Sequence, residues 1–233
     1  MRRRSGVIIS INQPAYLPWL GYFHRIAVSD RHVVLDSVQF EKNSFTNRNR
    51  VRTKGGACWL TVPVKTSGRF GDLVIRDLEI ADDQRWAAKH WATLRANYRK
   101  APHFAEHAPF FEEAYRRPWR RFNDLVAHIT LYLLDAFALD TPLVSSMDIP
   151  VVGAKDELVF NLCRAVDADV YLSGPLGRGY LCLERFERAE IEVRFDDYDH
   201  PRYRQVYPGF EPAMAAVDLL FNCGPASRDI IRA

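Results

Sequence analysis

The apolar and polar positions of this chain alternate between two periods. The run GVIISIN, residues 6–12, is apolar and β-branched and predicts a buried strand. A loop from Gln13 to Leu20 follows, holding Pro14 and Pro18 with Tyr16 and Trp19, and helical spacing sets in from about Gly21 to Val28. HVVLDSVQF, residues 32–40, reads as a second strand, apolar enough for the interior of a parallel sheet. Strand, crossover helix and strand make a βαβ unit, which is almost always right-handed. EKNSFTNRNRVRTKGGACWLTVPVK then reads as a polar loop and an antiparallel hairpin turning at the glycine pair.

From residue 82 the period changes to that of a helix, with Trp86, His90, Leu94 and Tyr98 recurring every fourth position and Asp82–Asp83 as the start signal. A basic, aromatic run from Phe104 leads into a long amphipathic helix near 122–138. PLVSSM predicts a short strand, KDELVFNLCRAV a helix, ADVYLSG a sheet strand and AEIEVRFDDY a last strand. HPRYRQVYPGFEP reads as an irregular loop, and AAVDLLFNCGPASRDIIR as helix broken at Cys-Gly-Pro. The expected fold is α/β: one domain over residues 1–233, a Rossmann-like, mostly parallel sheet with flanking helices, and a helical insertion over about 82–138.

Composition narrows the function. With 233 residues, 48% apolar and 26% charged, the chain resembles ordinary globular proteins. A net charge of only +3 gives no global field for nucleic acid, although RRPWRRF and NRNRVRTK offer local phosphate and stacking contacts. No apolar h-region follows the basic MRRRSG, and no run reaches the roughly 18 residues of a membrane span, so a cytoplasmic location is expected. Cys58, Cys163, Cys182 and Cys223 form no CxxC pair, which predicts neither a zinc site nor a disulfide framework; each reads as a small buried hydrophobe. No metal is predicted.

Three polar loops fall at the carboxyl ends of predicted strands, where open α/β sheets bind ligands. In the first, two prolines stiffen the loop and Gly21 permits close approach at a helix mouth; Gln13, Tyr16, Gly21 and Tyr22 are the binding candidates. The plain alternative is that Tyr16, Trp19 and Phe23 plug a core. His24 is placed to serve as acid or base, or is a solvated helix residue. The second loop supplies Asp36, Gln39, Asn47, Arg48 and Arg50, the two arginines sharing one face of a strand to hold a carboxylate or phosphate, or shielding an exposed edge. The third, SGPLGRGYL, adds Ser173, Gly174, Arg178 and Tyr180, with bare glycine amides at 174, 177 and 179 to cradle an oxyanion. His200, with Asp197 and Asp199 close in sequence, is a second candidate base.

These blocks carry a resemblance. QPAYLPWLGYFHRI, DSVQFEKNSFTNRNRVRT with WLTVPV, HWATLRANYRKAPHF, YLSGPLGRGYL, and DYDHPRYRQVYPGFEP with VDLLFNCGP together resemble the WbqC-like family, in the same order along the chain. The pattern falls on Gln13, Pro14, Tyr16, Pro18, Gly21 and Tyr22, on Asp36, Gln39, Phe40, Asn47, Arg48 and Arg50, and on Ser173, Gly174, Tyr180 and Leu181. It ends on His200, Pro201, Tyr203, Gln205, Asp218 and Asn222. Ser37, Glu41 and Arg178–Gly179 depart from it, which points to a changed substrate. The resemblance implies O-antigen or natural-product biosynthesis and a glycine-like aminoacyl transfer. A fainter likeness joins the fold to nucleotidyltransferase-like Rossmann proteins, pantothenate synthetase among them; PWLGYF stands where their HxGH would fall, with neither histidine.

The expected function is therefore a transferase or ligase that attaches an amino acid or acyl group, forming an amide or ester, with His24 or His200 accepting a proton. Its partners would be a small amine, sugar or amino acid and an activated donor, drawn from ATP or from a carrier such as a carrier protein. The alternative is a non-catalytic binder of a nucleotide or nucleotide sugar in the same cleft.

Overall fold

A computed structural model describes residues 6–42, 44–66, 73–81 and 85–233. Five strands form one parallel sheet: β1 (Ile8–Asn12), β2 (Arg31–Val34), β5 (Leu143–Ser145), β6 (Val170–Ser173) and β7 (Glu192–Phe195), in the order β5-β2-β1-β6-β7. Strands β3 (Arg48–Thr53) and β4 (Gly56–Thr61) pair antiparallel as a separate hairpin, turning at Lys54–Gly55. Helix α1 (Leu20–Ala27) connects β1 to β2, and α5 (Lys155–Ala165) connects β5 to β6. This is the mixed α/β, Rossmann-like architecture that the periodicity predicts.

The alternation along β1 assigns its two faces. Ile9 and Ile11 pack with Leu158, Leu162 and Cys163 of α5 and with Phe186 of α6 (Leu183–Arg188). Ser10 points the other way, donating to the Arg25 carbonyl and meeting His32 Nδ1 at 2.8 Å. On that side lies the larger core, built by α1, the hairpin, α2 (Arg85–Tyr98), α3 (Phe104–Arg116), α4 (Phe122–Ala136) and α7 (Ala216–Cys223).

Four details differ from the sequence reading. The predicted second strand ends at Val34, because Asp36 turns in to accept hydrogen bonds from Ser145 and Ser146 beside it. The stretch from Phe104 is a helix in its own right, burying Phe104, His107, Phe111, Ala114 and Tyr115 at helical spacing. Helix α6, unpredicted, fills the connection between β6 and β7. Cys182 is exposed rather than buried, at the mouth of α6. The Asp82–Asp83 helix start lies outside the described residues.

The break between α7 and α8 (Ser227–Arg232) has a steric cause. Gly224 holds φ 52° and ψ −126°, and a Cβ there would lie 2.3 Å from His103 Nδ1. That backbone region belongs to glycine. A Gly224→Ala variant should lose about 2 kcal/mol in chemical denaturation. A loss below about 0.5 kcal/mol would mean that the turn tolerates a side chain.

Candidate functional site

The chain leaves β1 by α1 toward β2 on one side, and reaches β6 on the other side through α5. Strand order therefore reverses between β1 and β6, and the crevice at their carboxyl ends is where open α/β sheets place ligands.

Arg25, from the second turn of α1, fills this crevice and is only 5% exposed. Its Nη2 donates to Asn12 Oδ1 at 2.8 Å, at the end of β1, and its Nη1 lies 3.6 Å from Asp196 Oδ2, just past β7. The guanidinium lies flat against Gly174, where a Cβ would come within 3.3 Å of it. Burial draws the Arg25 pKa down, and Asp196 opposes that shift by favouring the charged form. Two donors remain without protein partners in this buried space, Arg25 Nε and Asn12 Nδ2. Buried donors are nearly always paired, so this pair marks a place for an acceptor.

His24 stands beside them. Its Nδ1 is 3.2 Å from both carboxylate oxygens of Asp196, so Asp196 orients the imidazole and serves Arg25 at once. The Tyr198 ring leans on His24 at 4.7 Å between centroids, and burial pushes the Tyr198 phenol pKa up. Tyr198 comes this close because Gly21 has no side chain: a Cβ there would meet Tyr198 Cδ1 at 3.1 Å and Trp19 Nε1 at 3.3 Å.

A wall of rings continues outward from Trp19. Trp19 meets Phe45 at 5.7 Å and Phe45 meets Trp59 at 5.6 Å, the last two being nearly half exposed. Hairpin register pairs Arg48 with Thr61 and Arg50 with Trp59, placing both arginines and Trp59 on one face. Their guanidinium carbons lie 4.6 and 5.6 Å from the Trp59 ring centroid.

The remaining candidates divide. Gln13 takes the Thr46 hydroxyl at the end of β1, and Ser173 donates to the Gly174 carbonyl beside Arg25. His200 is near Tyr198, 6.3 Å between rings; its Nδ1 lies 3.3 Å from the Pro201 carbonyl, and burial lowers its pKa. Asp197 does not orient His200: it holds Arg178 bidentately at 2.7 and 2.6 Å. The glycine-rich segment is a 3-10 turn over Pro175–Gly179 that uses the Gly177 and Tyr180 amides internally, while the Tyr180 ring stays half exposed.

Five candidates lie away from the crevice. Tyr16 is buried against α2 and α3, bonded to His90 and Tyr115, and Tyr22 packs edge-on to His32. Asp36 is enclosed by Ser145, Ser146 and Asn123; Gln39 accepts from the Leu73 amide; and Asn47 donates to the Val62 carbonyl. Conversely Asn12, Arg25, Asp196 and Tyr198 were not singled out from sequence. Arg25 carried no separate mark: with Phe23 and Ile26 facing the core it falls on the other side of α1 and reads as solvated, whereas the structure buries seven of the eight residues of that helix. Among the described residues, no three His, Cys, Asp or Glu side chains are grouped to hold a metal ion. No helix there is long and apolar enough to cross a membrane.

The sequence profile of the WbqC-like protein family matches residues 13–230. The chain is 37% identical over 226 residues to the uncharacterized protein Rv1507c of Mycobacterium tuberculosis, covering 96% of this chain and 97% of that protein. No solved structure matches. The protein belongs to the WbqC-like family.

Proposed function

We propose that this protein is a small-molecule transferase or ligase that joins an amino acid, glycine-like in size, or an acyl group to an amine or sugar in cell-surface polysaccharide or natural-product biosynthesis. One observation carries the reading: the buried Arg25 and the half-buried Asn12, each with an unpartnered buried donor atom, stand beside the His24–Asp196 pair. A guanidinium N–H and a carboxamide N–H suit the carboxylate of an amino acid or a developing oxyanion. His24, oriented through Nδ1, keeps Nε2 to take the proton from the acceptor nitrogen or oxygen as that atom bonds the donor carbonyl carbon. The leaving group departs with its bonding pair, carried by an ATP-derived or carrier-bound donor.

A nucleotide or nucleotide-sugar binder without chemistry is the second reading. It is favoured by the exposed Phe45–Trp59 wall under Arg48 and Arg50, which suits a flat anionic ligand.

Thermal unfolding with ATP, CTP, nucleotide sugars, amino acids, acyl-CoA and acyl carriers separates the two. A ligand at about 100 times its Kd adds about 2.7 kcal/mol, a shift of roughly 5–10 °C at this chain length. An amino acid or acyl donor should give that shift, Arg25→Gln should abolish it, and His24→Gln should keep it while lowering turnover roughly 100-fold. A shift from nucleotides alone, unaffected by Arg25→Gln, would refute transfer at this crevice.

A further inference from the structure

Three stretches that the transfer reading leaves idle meet at one cavity: RANYRK at the end of α2 and just past it, YRQVY of the loop after β7, and LLFNC of α7. The cavity measures about 520 Å3, within the range of small-molecule sites. Arg99, Lys100 and Arg204 line it together with Asn97, Tyr207 and Asn222, and no Asp or Glu takes part in its lining. Among the described residues none of the three cations has a carboxylate partner.

We propose that this cavity is an anion-binding site for a small molecule carrying a pyrophosphate or similar polyanionic group. The carbonyls at the end of α2 draw cations and account for Arg99 and Lys100. They do not account for Arg204, which arrives from a different segment and brings a third positive charge to the same space. Like charges gathered without a counter-ion repel, and a bound polyanion turns that repulsion into attraction. The surrounding polar groups are fixed in place as a frame. Tyr207 donates to Asn97 Oδ1 at 3.1 Å, Asn97 Nδ2 to the Thr93 carbonyl, and Asn222 Nδ2 to the Asp218 carbonyl. The Asp218 carboxylate, bonded to the lining residue Gln205, is occupied by three donors. Three cations on a framed cavity favour two adjacent phosphates over one, because each phosphate then faces its own guanidinium or ammonium. This site does not depend on the chemistry at Arg25.

The test is calorimetric titration of inorganic pyrophosphate and of ADP into the full chain, at low and at physiological ionic strength. One saturable site is expected, weakened by added salt as screening predicts. In Arg99→Gln/Lys100→Gln/Arg204→Gln the Kd should rise at least about tenfold. A control that neutralises as many charges elsewhere, Arg116→Gln/Arg117→Gln/Arg121→Gln, should bind like the parent. All six side chains are exposed, so both variants should keep the parent melting temperature. Tighter binding of ADP assigns the site to a phosphorylated nucleoside, and equal affinity to the phosphate group itself; either supports the site. No binding of either probe, undiminished binding in the cavity variant, or equal weakening in the control would overturn it. None of these results depends on Arg25→Gln, so failure here is distinct from failure of the transfer reading.

Discussion

Between pH 6.5 and 4.5 the protein should lose about 5 kcal/mol of stability, much of the roughly 5–15 kcal/mol a domain has. The cause is a pair of histidines buried neutral. Burial, seconded by the Arg25 charge, lowers the His32 pKa to about 3, and burial lowers that of His90 to about 4. In the unfolded chain both titrate near 6.5. Below that value the unfolded chain takes up protons that the folded one refuses, so stability is full above it and falls until the folded values are reached. Each histidine costs about 1.4 kcal/mol per pH unit, over two units and two residues.

The geometry explains the refusal. His32 Nδ1 meets Ser10, whose hydroxyl is committed to the Arg25 carbonyl, and a proton on Nε2 would have no acceptor. His90 is enclosed by Tyr16, Tyr115 and Trp86. Asp218 acts with the opposite sign, since burial raises its pKa and acid relieves that cost, while His107 and His200, also lowered by burial, act with the same sign as the pair. Urea unfolding at half-unit steps of pH, for the parent and for His90→Gln, reads the effect. The variant should remove about 1.4 kcal/mol per pH unit from the slope, and an unchanged slope would clear His90 of the role.

Asp218→Ala should cost about 3–5 kcal/mol, on the pattern of buried charges and acceptors removed from their partners. Asp218 is fully buried in α7 and accepts from Tyr98 and Tyr203 at 2.7 Å each and from Gln205 at 2.9 Å. Tyr98 in turn accepts the Arg52 amide of the hairpin, so a single carboxylate ties α2, α7, the hairpin and the loop after β7. Removing it takes the acceptor from the Tyr98 and Tyr203 hydroxyls and leaves Gln205 Nε2 only the Glu211 carbonyl. Asp218→Asn, which keeps the shape and one acceptor oxygen, should cost less than half as much. Trypsin should then cut the alanine variant at Arg202 and Arg204 well before the parent, because that loop is held by Tyr203 and Gln205. A loss under about 1 kcal/mol, or unchanged proteolysis, would show that packing alone holds the loop.

Much of the fold was legible because its signals are local. The apolar runs at 8–12 and 170–173 and the helical spacing from Trp86 to Tyr98 each report on their own residues. Strand β2 was overestimated because HVVLDSVQF looks continuous until Asp36 finds Ser145 and Ser146, 109 and 110 residues away. The site was harder for the same reason. Loops at strand ends were identifiable, as was His24, but the partner of His24 is 172 residues distant and looks in sequence like one of several acids after a strand. Aromatic loop residues such as Tyr16 and Tyr22 carry no mark that separates a ligand face from a core plug. Only tertiary packing decides it, and it buries Tyr16 against His90 and Tyr115 and Tyr22 against His32.

The antiparallel bridge between Trp19 and Ala215, reinforced by the Ala216 amide on the Pro18 carbonyl, has a consequence for biosynthesis. The loop that shapes the crevice is translated early, and the segment that closes over it is nearly two hundred residues behind. At ribosomal speeds of about 5–20 residues per second, that interval is on the order of 10–40 s. Throughout it, Leu20, Phe23 and Ile26 wait without the helices at 216–232 that cover them. Productive folding therefore waits until residues 216–232 have been made, and a nascent form stalled before residue 215 would be a client for chaperones rather than a partly working protein.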